Sequence, residues 1–112
     1  MRLTGTQLEA MYICLAACPP FNKYKLPIVD RVEFDVSRSR MLMGSYDGDP
    51  HNINVSKTLN TNLQEAFETM AHEMVHLALE RAGSRNHADH DSDFNALAAK
   101  VCDAWGWDFK EF

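Results

Sequence analysis

The segment His72-Glu73-Met74-Val75-His76 constrains this chain more than any other part of its sequence. It has the pattern HExxH within helix-forming residues, and on a helix two residues four positions apart lie on the same face. His72 and His76 can therefore offer two imidazole nitrogens to one metal ion. A zinc ion held in this way needs a third protein ligand and keeps a fourth position for water. Glu73 can take a proton from that water, which is metal-assisted hydrolysis, of peptides most often.

The alternative interpretation of this segment is a polar helix face with two solvated histidines. The neighbouring residues argue against it, because they make the segment apolar nearly all round, as in a buried helix: Met74, Val75, Leu77, Ala78 and Leu79. Two imidazoles and a carboxylate in a buried helix need partners, and a metal ion supplies them. The pattern therefore favours a metal site.

Size and composition predict one soluble globular domain over residues 1–112. The chain is 46% hydrophobic and 24% charged, and no stretch of eighteen apolar residues indicates a membrane span. No signal-peptide pattern is present, and the three cysteines form no paired motif, so we expect buried thiols in a reducing, cytoplasmic environment. The net charge of −5 argues against nucleic acid as the main direct partner. We expect a monomer, and the small size suits a phage-like protein.

Local patterns predict an α+β fold with the order α-β-β-β-α-α and no repeat. The predicted elements are a helix over Thr6–Cys18, strands over Arg31–Val36, Arg40–Tyr46 and His51–Val55, a central helix from Asn60 or Thr61 to Gly83, and a last helix from Asp91 or Ser92 to Gly106. The Ser37–Ser39 stretch is predicted to be the turn between the first two strands, and Asp47–Pro50 a second turn.

Two capping boxes are predicted at helix starts, Thr6 with Glu9 and Thr61 with Gln64. The central helix is predicted to bury one stripe, formed by Leu63, Phe67, Met70, Met74 and Leu77. The two motif histidines fall nearly opposite that stripe.

The third metal ligand is not Glu80, because His72, His76 and Glu80 would form a row about 12 Å long that cannot converge on one ion. The metzincin pattern is excluded, since Leu79 and Ala82 occupy the positions of its glycine and histidine.

A downstream helical glutamate, as in thermolysin-like enzymes, is also missing, because the last helix offers only Asp103 and Glu111, both poorly placed. His87 and His90, in the polar loop Ser84–Asp91, are the remaining candidates.

Three ordered motifs resemble the SprT-like (Spartan-type) zinc metalloprotease domain. They are Ile53-Asn54-Val55-Ser56-Lys57-Thr58-Leu59, then the segment Gln64 to His76 with Glu65 and Glu68, then His90-Asp91-Ser92-Asp93-Phe94. The resemblance covers roughly Val32 to Trp105. It implies a minimal zincin-like fold, with a three-stranded sheet packed on the HExxH helix, one helix before it and one after.

The resemblance also implies site residues and an activity. His72, His76 and His90 are the implied zinc ligands and Glu73 the general base, for hydrolysis of peptide bonds in a protein substrate. The residues after His90 favour it over His87. The family has glycine where this chain has Asp91, which can cap the last helix or accept a hydrogen bond from a ligand imidazole. The C-terminal zinc ribbon of larger members is absent from this sequence.

Several assignments stay open at this point. By analogy with zincins, the His51–Val55 strand is expected to bind substrate by β-addition. Tyr46 and His51 are interpreted as ordinary strand and turn residues rather than transition-state stabilisers, and no residue fills the oxyanion-stabilising role. The aromatic residues Trp105, Trp107, Phe109 and Phe112 are predicted to pack on the core. The rival functions are a non-catalytic zinc-containing module of the same fold that recruits a partner, and an interaction protein without metal.

Overall fold

The computed structural model describes residues 2–84 and 90–112. Within them the chain has α+β architecture, with a three-stranded sheet, and this prediction is confirmed. The elements are α1 (Gly5–Ala17), β1 (Glu33–Ser37), β2 (Gly44–Gly48), β3 (His51–Ser56), α2 (Leu63–Arg81) and α3 (Ser92–Trp105). Short 3-10 helices lie at Phe21–Lys23, Val29–Arg31 and Phe109–Glu111.

The strand order β1-β3-β2 differs from the arrangement predicted by a turn between the first two strands. β3 lies in the middle, parallel to β1 and antiparallel to β2, so β1 and β2 do not pair with each other. The Ser39 hydroxyl accepts the backbone N–H groups of Met41 and Leu42, at 3.2 and 3.1 Å, and so bends the chain away from β1. The Ser56 hydroxyl also donates to the Ser39 carbonyl, 2.6 Å away. These contacts leave the position next to β1 for β3.

β2 begins later than predicted. The residues expected to form its first half, Met41, Leu42 and Met43, are 88%, 61% and 44% exposed and precede the strand. The strand continues through Gly48, and Asp49-Pro50 forms the two-residue turn to β3.

Both predicted capping boxes are wrong in register. The box of α1 uses Thr4 and Gln7, with Thr4 N–H to Gln7 Oε1 at 3.0 Å and Gln7 N–H to Thr4 Oγ1 at 3.3 Å. At α2 the Asn62 side chain accepts the Glu65 N–H at 2.9 Å, while Thr61 donates to the Glu65 carboxylate. Two residues that can cap a helix lie close together in each segment, Thr4 and Thr6 before α1 and Thr61 and Asn62 before α2, so the sequence pattern fits more than one start.

α2 runs through the centre of the molecule and is surrounded by the sheet, α1 and α3. It is therefore buried on nearly all sides between Ala66 and Leu79, as its apolar composition predicted. Leu63 departs from the predicted core stripe, because it lies in the first turn of the helix and is 56% exposed. The helix ends at Arg81, and Gly83, which was predicted to stop it, follows the C-cap residue Ala82 with a φ of 82° that only glycine adopts readily.

The prediction of buried thiols holds for Cys102 and is wrong for Cys14, which is exposed on α1; Cys18 is half-buried. All three are free. No helix in the described ranges has the length and apolar character needed to cross a membrane.

Candidate metal centre

Two helices bring the three predicted histidines together. α2 carries His72 and His76, and His90 lies two residues before α3 begins at Ser92. The Nε2 atom of His90 is 3.2 Å from the Nε2 atoms of both His72 and His76. Within residues 2–84 and 90–112, these three are the group of His, Cys, Asp or Glu side chains close enough together to hold one metal ion. The alternative ligand, His87, falls outside the described residues.

The separations of the His90 nitrogen from those of His72 and His76 fit a metal ion of the size of zinc. Nitrogens held about 2.0–2.1 Å from zinc at tetrahedral angles lie about 3.3–3.4 Å apart. The observed separations of 3.2 Å are close to this value, and the three imidazoles leave a fourth position of the tetrahedron for another ligand.

Phe94 packs against all three imidazoles. Its ring centroid lies 5.0 Å from that of His72, 4.8 Å from that of His76 and 4.2 Å from that of His90, and its side chain is buried. Asp91 fixes the backbone between His90 and Phe94, because its carboxylate accepts the N–H groups of Asp93 and Phe94 at 3.1 Å. Asp91, which replaces the glycine of the family pattern, thus acts as the N-cap of α3.

His72 is oriented by the end of the chain. Its Nδ1 atom is 2.8 Å from the backbone oxygen of Phe112, which can only accept, so Nδ1 carries the proton and Nε2 offers its lone pair to the other histidines. Burial lowers the pKa of His72 to about 4, with the hydrogen bond to Phe112 opposing that effect and His76 and His90 adding to it. The imidazole is therefore neutral at pH 7, and neutral imidazole is the form that binds metal.

Glu73 lies beside the histidines and faces a pocket of about 420 Å³. The side chain is 6% exposed, and burial raises its pKa to about 8. The pocket is lined by the start of β2, one face of α2 and the end of the chain: Met43, Gly44, Glu65, Glu68, Thr69, His72, Glu73, Glu111 and Phe112. A carboxylate next to three convergent imidazoles and an open pocket can transfer protons to and from a molecule bound there.

Buried hydrogen bonds hold the start of β2 against α2. The Asn60 side-chain amide donates to the carbonyl oxygens of Met43 (3.0 Å) and Ser56 (2.7 Å), and its oxygen accepts the Thr69 hydroxyl (2.6 Å). Gly44 permits the close approach, because a Cβ there would lie 2.7 Å from Thr69 Cγ2. Neither Asn60 nor Gly44 stood out in the sequence, since nothing local distinguishes them from ordinary turn and strand residues.

The sequence matches a known protein family, and the match agrees with this geometry. The model of the SprT-like family matches residues 20–109 of the chain, a range that includes the sheet, α2, α3 and the three histidines. The chain belongs to the SprT-like family. Among curated proteins, none matches the sequence significantly.

Three other residues considered from the sequence of this SprT-like chain lie outside the pocket. Tyr46 donates its hydroxyl hydrogen bond to Glu80, and its hydroxyl oxygen is 2.8 Å from His51 Nδ1. His51 Nδ1 is also 3.9 Å from the Glu80 carboxylate. Glu80 thus links α2 to β2 and β3. It is not part of the histidine group, as predicted from its position one helical turn beyond His76.

The C-terminal aromatic residues have two roles. Trp105, Trp107 and Phe112 pack against the core, as predicted, while Phe109 is 42% exposed. Phe112 in addition lines the pocket and contacts His72, a role that no local sequence signal indicates.

Proposed function

We propose that this chain is a zinc-dependent metallopeptidase of minimal zincin-like fold, which hydrolyses peptide bonds in a protein substrate. The observation that carries the proposal is the convergence of three imidazole Nε2 atoms beside a buried carboxylate at an open pocket. Membership of the SprT-like family supports the same conclusion.

His72, His76 and His90 would hold the zinc ion. When bound, zinc polarises the scissile carbonyl and makes its water a nucleophile near neutral pH. Glu73 faces the same pocket and is placed to accept a proton from water and to deliver it to the departing amine. The backbone oxygen of Phe112 and the ring of Phe94 would keep the imidazoles in their binding orientation.

The edge of β2 is the strand edge on which substrate would lie, which corrects the expectation for the His51–Val55 strand. β3 is paired on both sides, whereas β2 is the edge strand next to α2. The Ser56 N–H donates to the Met43 carbonyl at 2.8 Å, and antiparallel pairs alternate, so Gly44 and Tyr46 turn their N–H and C=O groups away from β3. A substrate strand can pair with them beside Glu73.

The net charge of −5 supports protein rather than nucleic acid as the direct partner. The non-catalytic zinc module remains the second candidate because of one observation. The Thr69 hydroxyl, a pocket donor suited to stabilise an oxyanion, is engaged by Asn60 at 2.6 Å. The first experiment therefore separates metal binding from catalysis.

We expect about one zinc ion per chain in the purified wild type, measured by elemental mass spectrometry. His90→Ala should lose the metal, while His51→Ala, a matched histidine outside the site, should keep it; His87→Ala tests the alternative ligand. Glu73→Gln should keep zinc and lose cleavage of unfolded casein. Casein cleavage that survives Glu73→Gln, or a wild type without zinc, contradicts the proposal. Zinc binding without any cleavage leaves the non-catalytic module.

A further inference from the structure

We propose that the segment Met41–Met43, which precedes β2, binds a large apolar side chain of the substrate strand, so that peptides with such a residue on one side of the scissile bond are preferred. This inference rests on the proposed function, because it specifies which peptides lie along the edge of β2.

Three consecutive apolar side chains are exposed in this segment. Met41, Leu42 and Met43 are 88%, 61% and 44% exposed. Within residues 2–84 and 90–112, the other large apolar side chains of comparable exposure stand singly in the sequence: Ile13, Ile28, Leu63 and Phe109. Single exposed apolar residues are ordinary on protein surfaces, whereas a run of three exposed together is a mark of a contact surface. The segment therefore differs from the rest of the described surface.

The backbone of the segment is held at both ends. The Ser39 hydroxyl accepts the N–H groups of Met41 and Leu42, at 3.2 and 3.1 Å. The Met43 carbonyl accepts the Ser56 N–H at 2.8 Å and the Asn60 side-chain amide at 3.0 Å. The apolar side chains are thus presented on a fixed backbone, which reduces the entropy lost when a ligand packs against them.

The segment leads directly into the strand edge on which substrate would lie. Met43 lines the pocket beside Glu73, and a Cβ on the next residue, Gly44, would be 3.2 Å from Glu73 Oε2. One residue spans at most about 3.6 Å, so Met41 lies within about 11 Å of Gly44 along the chain. A substrate strand paired with Gly44 and Tyr46 therefore meets the segment within about three residues of the scissile bond, and on one side of it only.

The side chains of the segment suit a class of apolar residues rather than one residue. Methionine is unbranched and polarizable, so it adapts its shape to the group that packs on it. Two of the three residues are methionine, and none of the three carries a charge or a hydrogen-bonding side chain. We therefore expect leucine, methionine and phenylalanine to be accepted in the substrate, and polar residues of similar size to be disfavoured.

A second copy of the chain fits this surface less well than a substrate side chain. A stable interface between two proteins takes about 20–30 residues from each partner, and this run supplies three. A two-fold contact through the segment would also bring the exposed Arg40, its immediate neighbour, close to its own copy. One side chain of a bound peptide covers an area of the size that the segment offers.

The test uses labelled peptides that are identical except at one position, which is leucine, methionine, phenylalanine or asparagine and is moved along the peptide. Binding is measured by fluorescence anisotropy with zinc-loaded Glu73→Gln protein, and cleavage by the zinc-loaded wild type locates the scissile bond. On one side of that bond, within about three residues, we expect leucine to bind at least about fivefold more tightly than asparagine, as for partial burial of one leucine side chain. The preference should persist at high salt, because it involves no charges.

Replacing the exposed apolar side chains should remove this preference. Met41→Gln with Leu42→Gln, made in the Glu73→Gln protein, should bring the leucine-over-asparagine ratio to about one and leave the affinity for the asparagine peptide unchanged. Ile13→Gln with Ile28→Gln is the matched control, because these residues are 54% and 66% exposed and do not line the pocket. Its ratio should equal that of the parent. Circular dichroism verifies folding, and Leu42→Gln alone, expected to lower the ratio in part, provides a milder second variant.

Each outcome decides between the two proposals. Equal affinity for leucine and asparagine peptides at every position, or a preference that Met41→Gln with Leu42→Gln leaves unchanged, overturns the inference. Cleavage by the wild type without an apolar preference overturns it while leaving the proposed function intact.

An apolar preference that the variant removes, with no cleavage by the wild type, supports the docking surface and contradicts the peptidase proposal. Self-association, or binding to anionic vesicles, that the variant abolishes in the absence of a leucine preference assigns the segment to a second copy or to a membrane surface and overturns the inference.

Discussion

Gly44 provides the sharpest test of how β2 is held at the site. A Cβ at this position would lie 2.7 Å from Thr69 Cγ2, 2.8 Å from the Asn54 backbone oxygen and 3.2 Å from Glu73 Oε2. The first two atoms cannot move easily, because Thr69 is buried and hydrogen-bonded to Asn60, and Asn54 lies in the central strand. In Gly44→Ala the strand itself must therefore shift.

The size of the shift follows from the distances. An ordinary carbon contact is about 3.5 Å, so the 2.7 Å approach requires β2 and α2 to separate by about 0.8 Å. Overpacking of this kind costs about 1–3 kcal/mol of unfolding free energy. For a domain of this size we expect the melting temperature to fall by about 4–12 °C. Because a displacement of about 1 Å at a reacting centre can cost about a hundredfold, kcat/KM for peptide cleavage should fall by about ten- to hundredfold.

The assay is thermal unfolding followed by circular dichroism, with zinc content and peptide cleavage measured on the same samples. Zinc should be retained, since the histidines lie on α2 and before α3. Gly5→Ala is the matched control, because its nearest contact would be an ordinary 3.6 Å, to the Phe34 carbonyl oxygen. Gly48→Ala should cost less than Gly44→Ala, because its Cβ meets only the end of the Glu80 side chain. A Gly44→Ala protein that melts within about 1 °C of wild type and keeps full activity would refute the reasoning.

Three further predictions concern the surroundings of the site. Asn60→Ala should lower the free energy of unfolding, measured in urea, by about 2–4 kcal/mol, because it leaves buried polar groups without partners. Asn95→Ala, at an exposed position, should change it by less than about 0.5 kcal/mol. Equal effects of the two substitutions would contradict the hydrogen-bond argument. Asp91→Ala should lower the free energy of unfolding by about 1 kcal/mol, because α3 loses its N-cap, and should weaken zinc binding through His90, measured by competition with a chelating dye. Asp103→Ala, at an exposed position, should leave zinc affinity unchanged. Removal of zinc by a chelator should lower the melting temperature. The free energy of unfolding should fall by about 2.7 kcal/mol relative to protein at a free zinc concentration of one hundred times Kd. An unchanged melting temperature would argue against a bound metal.

The features predicted correctly from the sequence are those set by short-range patterns. The helical spacing of His72 and His76, the burial of α2 and the capping of α3 at Asp91 all follow from residues close together in the chain. The motif that ends at Phe94 predicts His90 as the third ligand, and the His90 Nε2 atom lies 3.2 Å from the Nε2 atoms of His72 and His76.

The features that were missed depend on contacts between distant segments. The strand order depends on contacts between separate segments, such as the hydrogen bond from the Ser56 hydroxyl to the Ser39 carbonyl, which the alternation of apolar residues does not encode. Gly44 and Phe112 act on α2 from 25 or more residues away, and neither has a distinctive neighbourhood in the sequence. The three strands were predicted close to where they lie, yet the substrate edge was assigned to β3, because the sequence does not show that β3 pairs with both β1 and β2 and leaves β2 at an edge.

The metal would join two helices that already pack against each other. Leu97 and Val101 of α3 belong to the same buried core as Met70 and Met74 of α2, and that core extends to α1 and the sheet. Phe94 packs the imidazoles from the α3 side without needing an ion. Because the two helices share this core, we expect the site to be largely formed before metal binds, unlike a zinc finger, whose folding depends on its ion. It follows that the metal-free protein should stay folded with reduced stability, and that the loss of activity on chelation should precede any loss of helical structure.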